Sequence, residues 1–204
     1  KRREFQEDLN QRRNEELASV VERANRVIKQ IFDAEKYDLI LQEVILASGR
    51  GERFVASGGQ GSKLQALLHG KPVLEHTLDA VRASGLPFHV ETARHPGMGD
   101  SIAAAVKATA DATGWLVLPG DLPLINNATL VALAQALTQH AVVVPVFQGQ
   151  RGHPVGFAAR CRSNLLNLKG NKGAALVFIA YPAIELIVDD CGTVTDIDTL
   201  DDLH

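Results

Sequence analysis

The chain has 204 residues, 46% of them hydrophobic, and its 21 Lys/Arg against 24 Asp/Glu give a formal net charge of −3. That length and apolar content suffice to bury a core, which excludes a collagen, a disordered tail and a disulfide-stapled miniprotein. The near-balanced charge argues against nucleic acid as a partner, because counterion-driven binding needs a concentrated basic face, and leaves small anionic ligands open.

Residues 1–38 carry nine Lys/Arg and nine Asp/Glu, whereas all 17 glycines lie at or after Gly49 and all eight prolines at or after Pro72. With nothing to interrupt it, this stretch predicts one long helix. Leu17, Val20, Val21, Ala24, Val27, Ile28, Ile31 and Phe32 recur at three- and four-residue steps, an apolar stripe that wants a partner. Two readings stand: a coiled-coil arm for self-association, or an amphipathic helix docked on its own domain.

From Glu43 the pattern alternates. A short apolar strand (43–47) leads into a glycine-rich loop (48–63), a helix (72–84) and a strand (88–91). A helix (101–110), a strand (115–118), a helix (128–139) and a strand (141–147) follow. Strand and helix in turn predict an α/β domain over 43–204, a Rossmann-like, mostly parallel sheet flanked by helices. Gln148-Gly149-Gln150 reads as a hairpin turn into 154–158, which makes the later sheet mixed.

Cys161 and Cys191 are too few for a disulfide framework and form no CxxC or Cys/His cluster, so a reducing, cytoplasmic setting without structural zinc is expected. Apolar runs such as 141–147 fall far short of the ~20 residues a bilayer span needs, and the first residues are charged. Neither a membrane segment nor a signal peptide is expected. The sequence starts at Lys1 and its one methionine is Met98, as in a fragment or a processed chain.

Three features could carry chemistry. Leu46-Ala47-Ser48-Gly49-Arg50-Gly51-Glu52-Arg53 lies where the first strand ends, and its glycines let backbone N–H groups approach an anion. It is neither a full dinucleotide fingerprint, because Phe54 stands at the third glycine's place, nor a P-loop, because Gly61-Ser62-Lys63 lacks the GK[ST] order. Either a plain surface loop or a phosphate cradle fits; Arg53 and Lys63, two cations ending it, favour the cradle. Leu118-Pro119-Gly120-Asp121-Leu122-Pro123 sets a carboxylate just beyond an apolar strand, where open parallel sheets bind ligands, although Asp between Gly and Pro also suits an ordinary turn. Thr195-Asp196-Ile197-Asp198-Thr199 places two carboxylates at alternate positions, on one side if the segment is a strand. Asp121 with one of them would suffice for a magnesium ion bridging phosphates, and Asp198 or Thr199 could equally cap the terminal helix.

In this order these segments resemble the MobA-like nucleotidyltransferases, most closely the molybdenum cofactor cytidylyltransferases. Residues 46–53 followed by Lys63 are similar to the family's LAAGxGxR…K signature, and Gly97-Met98-Gly99-Asp100-Ser101 to its GMGxS element. Residues 118–123 match its GDMP segment, Arg151-Gly152-His153-Pro154 its RGHP motif, and 196–203 its DIDTPEDL end. The resemblance implies that Gly49, Gly51, Arg53 and Lys63 hold the triphosphate and that Ala47, Ser48, Gly97, Gly99 and Ser101 complete the nucleotide site. It also implies that Asp121 and Asp198 hold magnesium and that Arg151, Gly152, His153 and Asn171 face a pterin-type acceptor. Arg53, Lys63 and Asp121 are then the catalytic residues.

Three departures qualify it. Ser48 replaces an alanine or glycine linked to the choice between CTP and GTP, and Asn171 replaces an Asp. The short 90–97 segment leaves little room for the helix and strand usual there, which predicts a lost edge strand. Residues 1–42, with Glu35-Lys36-Tyr37-Asp38-Leu39-Ile40-Leu41-Gln42, resemble the C-terminal part of the Skp/OmpH family of periplasmic chaperones and read as an appendage or fusion. The function these features imply is transfer of CMP from CTP to a molybdopterin-type phosphate, releasing pyrophosphate. The rival is a catalytically silent nucleotide-binding or chaperone-like module that assembles through the helix.

Overall fold

The computed structural model describes residues 41–47 and 52–203. The helix expected over 1–38 and the loop residues Ser48, Gly49 and Gly51 lie outside these. Among the described residues a sheet is built from β1 (Leu41–Leu46), β4 (Phe88–Glu91), β5 (Gly114–Pro119), β6 (Val142–Phe147), β7 (Gln150–Arg151), β8 (Val155–Ala158) and β9 (Ile184–Ile187). The order is β4-β1-β5-β8-β6-β7, and β9 pairs with β6. β4, β1 and β5 run parallel, and β8 enters antiparallel between β5 and β6, so the sheet is mixed as expected. A two-stranded ribbon, β2 (Leu67–Leu68) with β3 (Lys71–Pro72), stands apart.

The described residues also form helices α1 (Glu52–Ala56), α2 (Val73–Ser84), α3 (Met98–Ala108), α4 (Asn127–Ala136), α5 (Arg162–Leu166) and α6 (Ala175–Ala180). Alternation along β5 sorts the core into two layers. Trp115 and Val117 pack with Val44, Ile102 and Leu165 on one face; Leu116 and Leu118 pack with Ile45, Leu78 and Leu130 on the other. Each fully buried Val or Leu here contributes about 1.5–3 kcal/mol relative to exposure, and double-sided burial explains why β5 and β6 read as continuous apolar runs. Trp115 keeps its one polar atom satisfied by donating Nε1–H to Thr109 Oγ1 at 2.9 Å, under the Arg162 guanidinium.

Several expectations are corrected. The loop expected over 48–63 contains α1, because Phe54 is a buried anchor and Ser57 Oγ closes the turn on Phe54 O. The helix expected from Ser101 begins at Met98, so the glycine-rich element is its first turn. The segment around Asp196 is not a strand. Neither Asp198 nor Thr199 caps the terminal turn; Asp202 instead reaches back to accept from the N–H groups of both. β4 pairs with β1 alone, in keeping with the short 90–97 connection.

Candidate active site

Register brings the site together. Leu46 lies opposite both Glu91 and Pro119, so β4, β1 and β5 end at one level. Gly120 N–H donates to Leu46 O at 3.1 Å, fixing the turn that follows β5. Ile197 N–H donates to Asp121 O at 3.0 Å, which carries Asp196 and Asp198 to the same spot from the other end of the chain. Carboxylate oxygens of Asp121, Asp196 and Asp198 then lie within 4.8 Å of one another.

Lys63 stands among them. Its Nζ is 2.6 Å from Asp121 Oδ2 and 2.8 Å from Asp198 Oδ1, while Arg53 pairs with the other oxygen of Asp198. A 3-10 turn over Lys63–Gln65, capped by Ser62, holds the lysine in place. Asp121 Oδ1 is buried without a hydrogen-bond partner. A buried carboxylate oxygen left unpaired is costly, so this atom is one that a cation would satisfy.

These charges shift one another. Burial alone would lower the Lys63 pKa, but the hydrogen bonds and charges of Asp121 and Asp198 outweigh it and hold the ammonium above its ordinary value. Desolvation works against ionising Asp198, yet Lys63 and Arg53 keep its carboxyl below the ordinary range. Asp196 goes the other way, pushed up by desolvation and by its hydrogen bond to Asp198. Desolvation also lowers the imidazole of His153, an effect the charge of Asp121 partly offsets.

A cavity of about 810 Å³ opens over this floor. Leu46, His95, Pro96, Gly97, Met98 and Ser101 line it, as do Gln150, Arg151, Gly152, His153, Thr193 and Val194. Gly152 packs so tightly that a Cβ would fall 2.3 Å from Thr193 O, and His153 N–H donates to that same oxygen at 2.8 Å. Gly97 is as closely met, by Gly170 O and Asn171 Oδ1, and Asp100 Oδ2 accepts from Gly170 N–H at 2.8 Å. Asn171 thereby joins the cavity wall beside the start of α3.

Of the residues singled out from sequence, Arg53, Lys63, Gly97, Ser101, Asp121, Arg151, Gly152, His153, Asn171 and Asp198 all line this one cavity. Ala47 and Gly99 do not. Ala47 N–H donates to Glu91 O at 3.0 Å, and Gly99 packs on the backbone of Lys169. Sequence reasoning missed His95 and Thr193, which also line the cavity.

Comparison with known proteins gives the family. The family model for the MobA-like NTP transferase domain matches residues 79–184, just over half of the chain. The chain belongs to that family of nucleotidyltransferases. A second model, for OmpH-like outer membrane proteins, matches residues 1–54 and so runs past the boundary at 42 read from sequence.

Among solved structures, Rv0371c from Mycobacterium tuberculosis H37Rv is 25% identical with a TM-score of 0.69, over 79% of this chain and 95% of that one. The same protein is known in a complex with manganese. Molybdopterin-guanine dinucleotide biosynthesis protein A from Archaeoglobus fulgidus shares the fold at 18% identity and a TM-score of 0.59, over 79% of this chain and 94% of that one. The bifunctional protein GlmU of Xylella fastidiosa (strain 9a5c) is 32% identical over 141 residues, covering 56% of this chain. The chain spans about 30% of the length of that curated relative. No helix among the described residues is long and apolar enough to cross a membrane.

Proposed function

We propose that this chain transfers a nucleotidyl group from a nucleoside triphosphate, CTP by preference over GTP, to a phosphate-bearing pterin-type acceptor, with release of pyrophosphate and in the cytoplasm. One observation carries the reading: Lys63 is clasped between Asp121 and Asp198 on the floor of a cavity, with Asp121 Oδ1 unpartnered beside them. A charged floor at the base of one cavity suits substrates that meet at a phosphate.

The carboxylates fit a divalent cation, and the manganese complex of the Mycobacterium relative supports the same reading. Asp121 and Asp198 would hold magnesium or manganese, which would supply positive charge against the negative charge developing at the α-phosphate. Lys63 and Arg53 add fixed positive charge beside the same carboxylates, where triphosphate oxygens would bind. An acceptor oxygen attacks the α-phosphorus, the α–β bridging bond breaks, and the electron pair leaves with pyrophosphate.

A phosphate monoester acceptor has a second pKa of about 6, so it is largely dianionic at neutral pH and needs no side-chain base. Arg151 and Asn171 then serve as donors to the acceptor. His153, held neutral by its lowered pKa, serves as a donor or acceptor of hydrogen bonds without adding charge. The experiment is pyrophosphate release from CTP with magnesium and molybdopterin, run beside GTP, UTP and a sugar 1-phosphate acceptor. Release with CTP and the pterin supports the full reading. Release only with the sugar phosphate keeps the transfer chemistry and overturns the acceptor.

A further inference from the structure

Asn171 reaches the cavity on a turn that another part of the chain holds. It is the middle residue of a 3-10 turn, Gly170–Lys172, whose start no side chain caps. Gly170 (φ +68°) and Gly173 (φ +53°) stand on either side of it in the left-handed region that glycine enters freely, so the turn has little stiffness of its own. The start of α3 supplies what the turn lacks. A Cβ on Gly97 would fall 2.3 Å from the Gly170 carbonyl carbon, and one on Gly99 3.0 Å from the Lys169 backbone, so helix and loop meet backbone to backbone. Across the same seam Met98 Sδ lies 3.1 Å from where a Cβ of Gly173 would stand. Asp100, in the first turn of α3, adds the attractive and directional contact: its Oδ2 accepts from Gly170 N–H at 2.8 Å. A carboxylate at this end of a helix is favoured by the helix dipole, and Asp100 does not itself line the cavity.

We propose that Asp100 is a positioning residue for acceptor binding: by holding Gly170 it presents Asn171 to the acceptor, and it acts on the acceptor only through Asn171. The inference rests on the reading above, in which Asn171 is a donor to the acceptor. A donor held in place before binding spares the acceptor the cost of ordering the turn. Loss of the tie therefore weakens acceptor binding and leaves the Lys63–Asp121 floor as it was.

The test is steady-state pyrophosphate release by the full chain with magnesium, CTP and molybdopterin, each substrate varied while the other is saturating. The wild type is compared with Asp100→Ala, Asp100→Asn, Asn171→Ala and the Asp100→Ala/Asn171→Ala double variant, with melting temperatures recorded for all. Asn171→Ala should raise the KM for the acceptor about 10-fold, as expected for one well-placed hydrogen bond, with kcat and the KM for CTP within about twofold. Asp100→Ala should reproduce this pattern to a similar extent. The double variant should be no worse than Asn171→Ala alone, because a residue that acts through another has nothing left to act on. Asp100→Asn, whose amide oxygen still accepts from Gly170 N–H, should recover most of the acceptor affinity. If Asp100→Ala does not fold, Asp100→Ser, whose hydroxyl is one bond short of Gly170, takes its place. An unchanged acceptor KM in the folded variant, losses that multiply in the double variant, an equal rise in the KM for CTP, or no recovery in Asp100→Asn overturns the proposal and leaves the transferase reading standing. No acceptor-dependent release by the wild type overturns both.

Discussion

The floor of the cavity and the wall around Arg151 are built on opposite terms. On the floor, the Lys63, Asp121 and Asp198 side chains are 10%, 15% and 16% exposed, and they come from positions far apart in the chain, joined by backbone hydrogen bonds. On the wall, Arg151 is 62% exposed and leans on Glu185, itself 50% exposed, at 2.7 Å. Buried charges held from several directions cannot shift without leaving a partner unpaired; an exposed ion pair contributes little and re-forms readily. On the proposed function, the chemistry is set by the fold and the acceptor by side chains that can change at small cost.

That contrast can be broken at the floor first. Asp121→Asn should lower turnover about 10²–10³-fold with the fold intact, because a cation site loses its ligand, and Asp198→Asn should follow it closely. Asp196→Asn should do much less, since the pushed-up Asp196 makes no ion pair with Lys63 or Arg53 among the described contacts. Turnover and magnesium dependence of the three variants check this order.

Lys63→Met should destabilise the metal-free chain by about 2–3 kcal/mol, roughly 5–10 °C in melting temperature, because Asp121 and Asp198 are left facing each other. Added magnesium or manganese should restore part of the loss. Scanning calorimetry with and without metal measures both.

At the rim of the floor, folding lowers the pKa of His153, so the folded chain binds fewer protons than the unfolded one below the ordinary imidazole value of about 6.5. Stability from this group is therefore present above that pH and lost as pH falls toward the folded value. An NMR titration should find a midpoint below 6.5, and Asp121→Asn should lower it further by removing the charge that favours the imidazolium. On the wall itself, Arg151→Ala should raise the KM for the acceptor several-fold with kcat almost unchanged. The smallest effect is expected at the other end of the sequence: a chain beginning at Leu39 should bind nucleotide within about twofold of the full one.

Much of the floor was legible before any coordinates. Asp121 follows an apolar strand and Lys63 ends a glycine-rich stretch, patterns that local chemistry dictates. The pairing of Asp198 with Asp121 follows from the family resemblance, and the alternate spacing of Asp196 and Asp198 argues for one side only in a strand; the segment is not a strand, and the Ile197 hydrogen bond to Asp121 positions them. α1 went unread because its helical signal is one short turn within glycines, held by burial of Phe54 rather than by propensity. His95 went unread because only the fold brings it to the cavity, which no spacing rule encodes. β9 escaped for a related reason. Its Ile184 and Ile187 are exposed, so the strand is made by pairing with β6 and not by an apolar face.

The central claim, nucleotidyl transfer over the Asp121–Lys63–Asp198 floor, is tested most directly by following pyrophosphate from CTP with magnesium and a molybdopterin acceptor, wild type beside Asp121→Asn at equal folded concentration. Acceptor-dependent release by the wild type, reduced at least 100-fold in the variant, is the predicted result. Release that is equal in both proteins would show that the reaction does not pass through this floor.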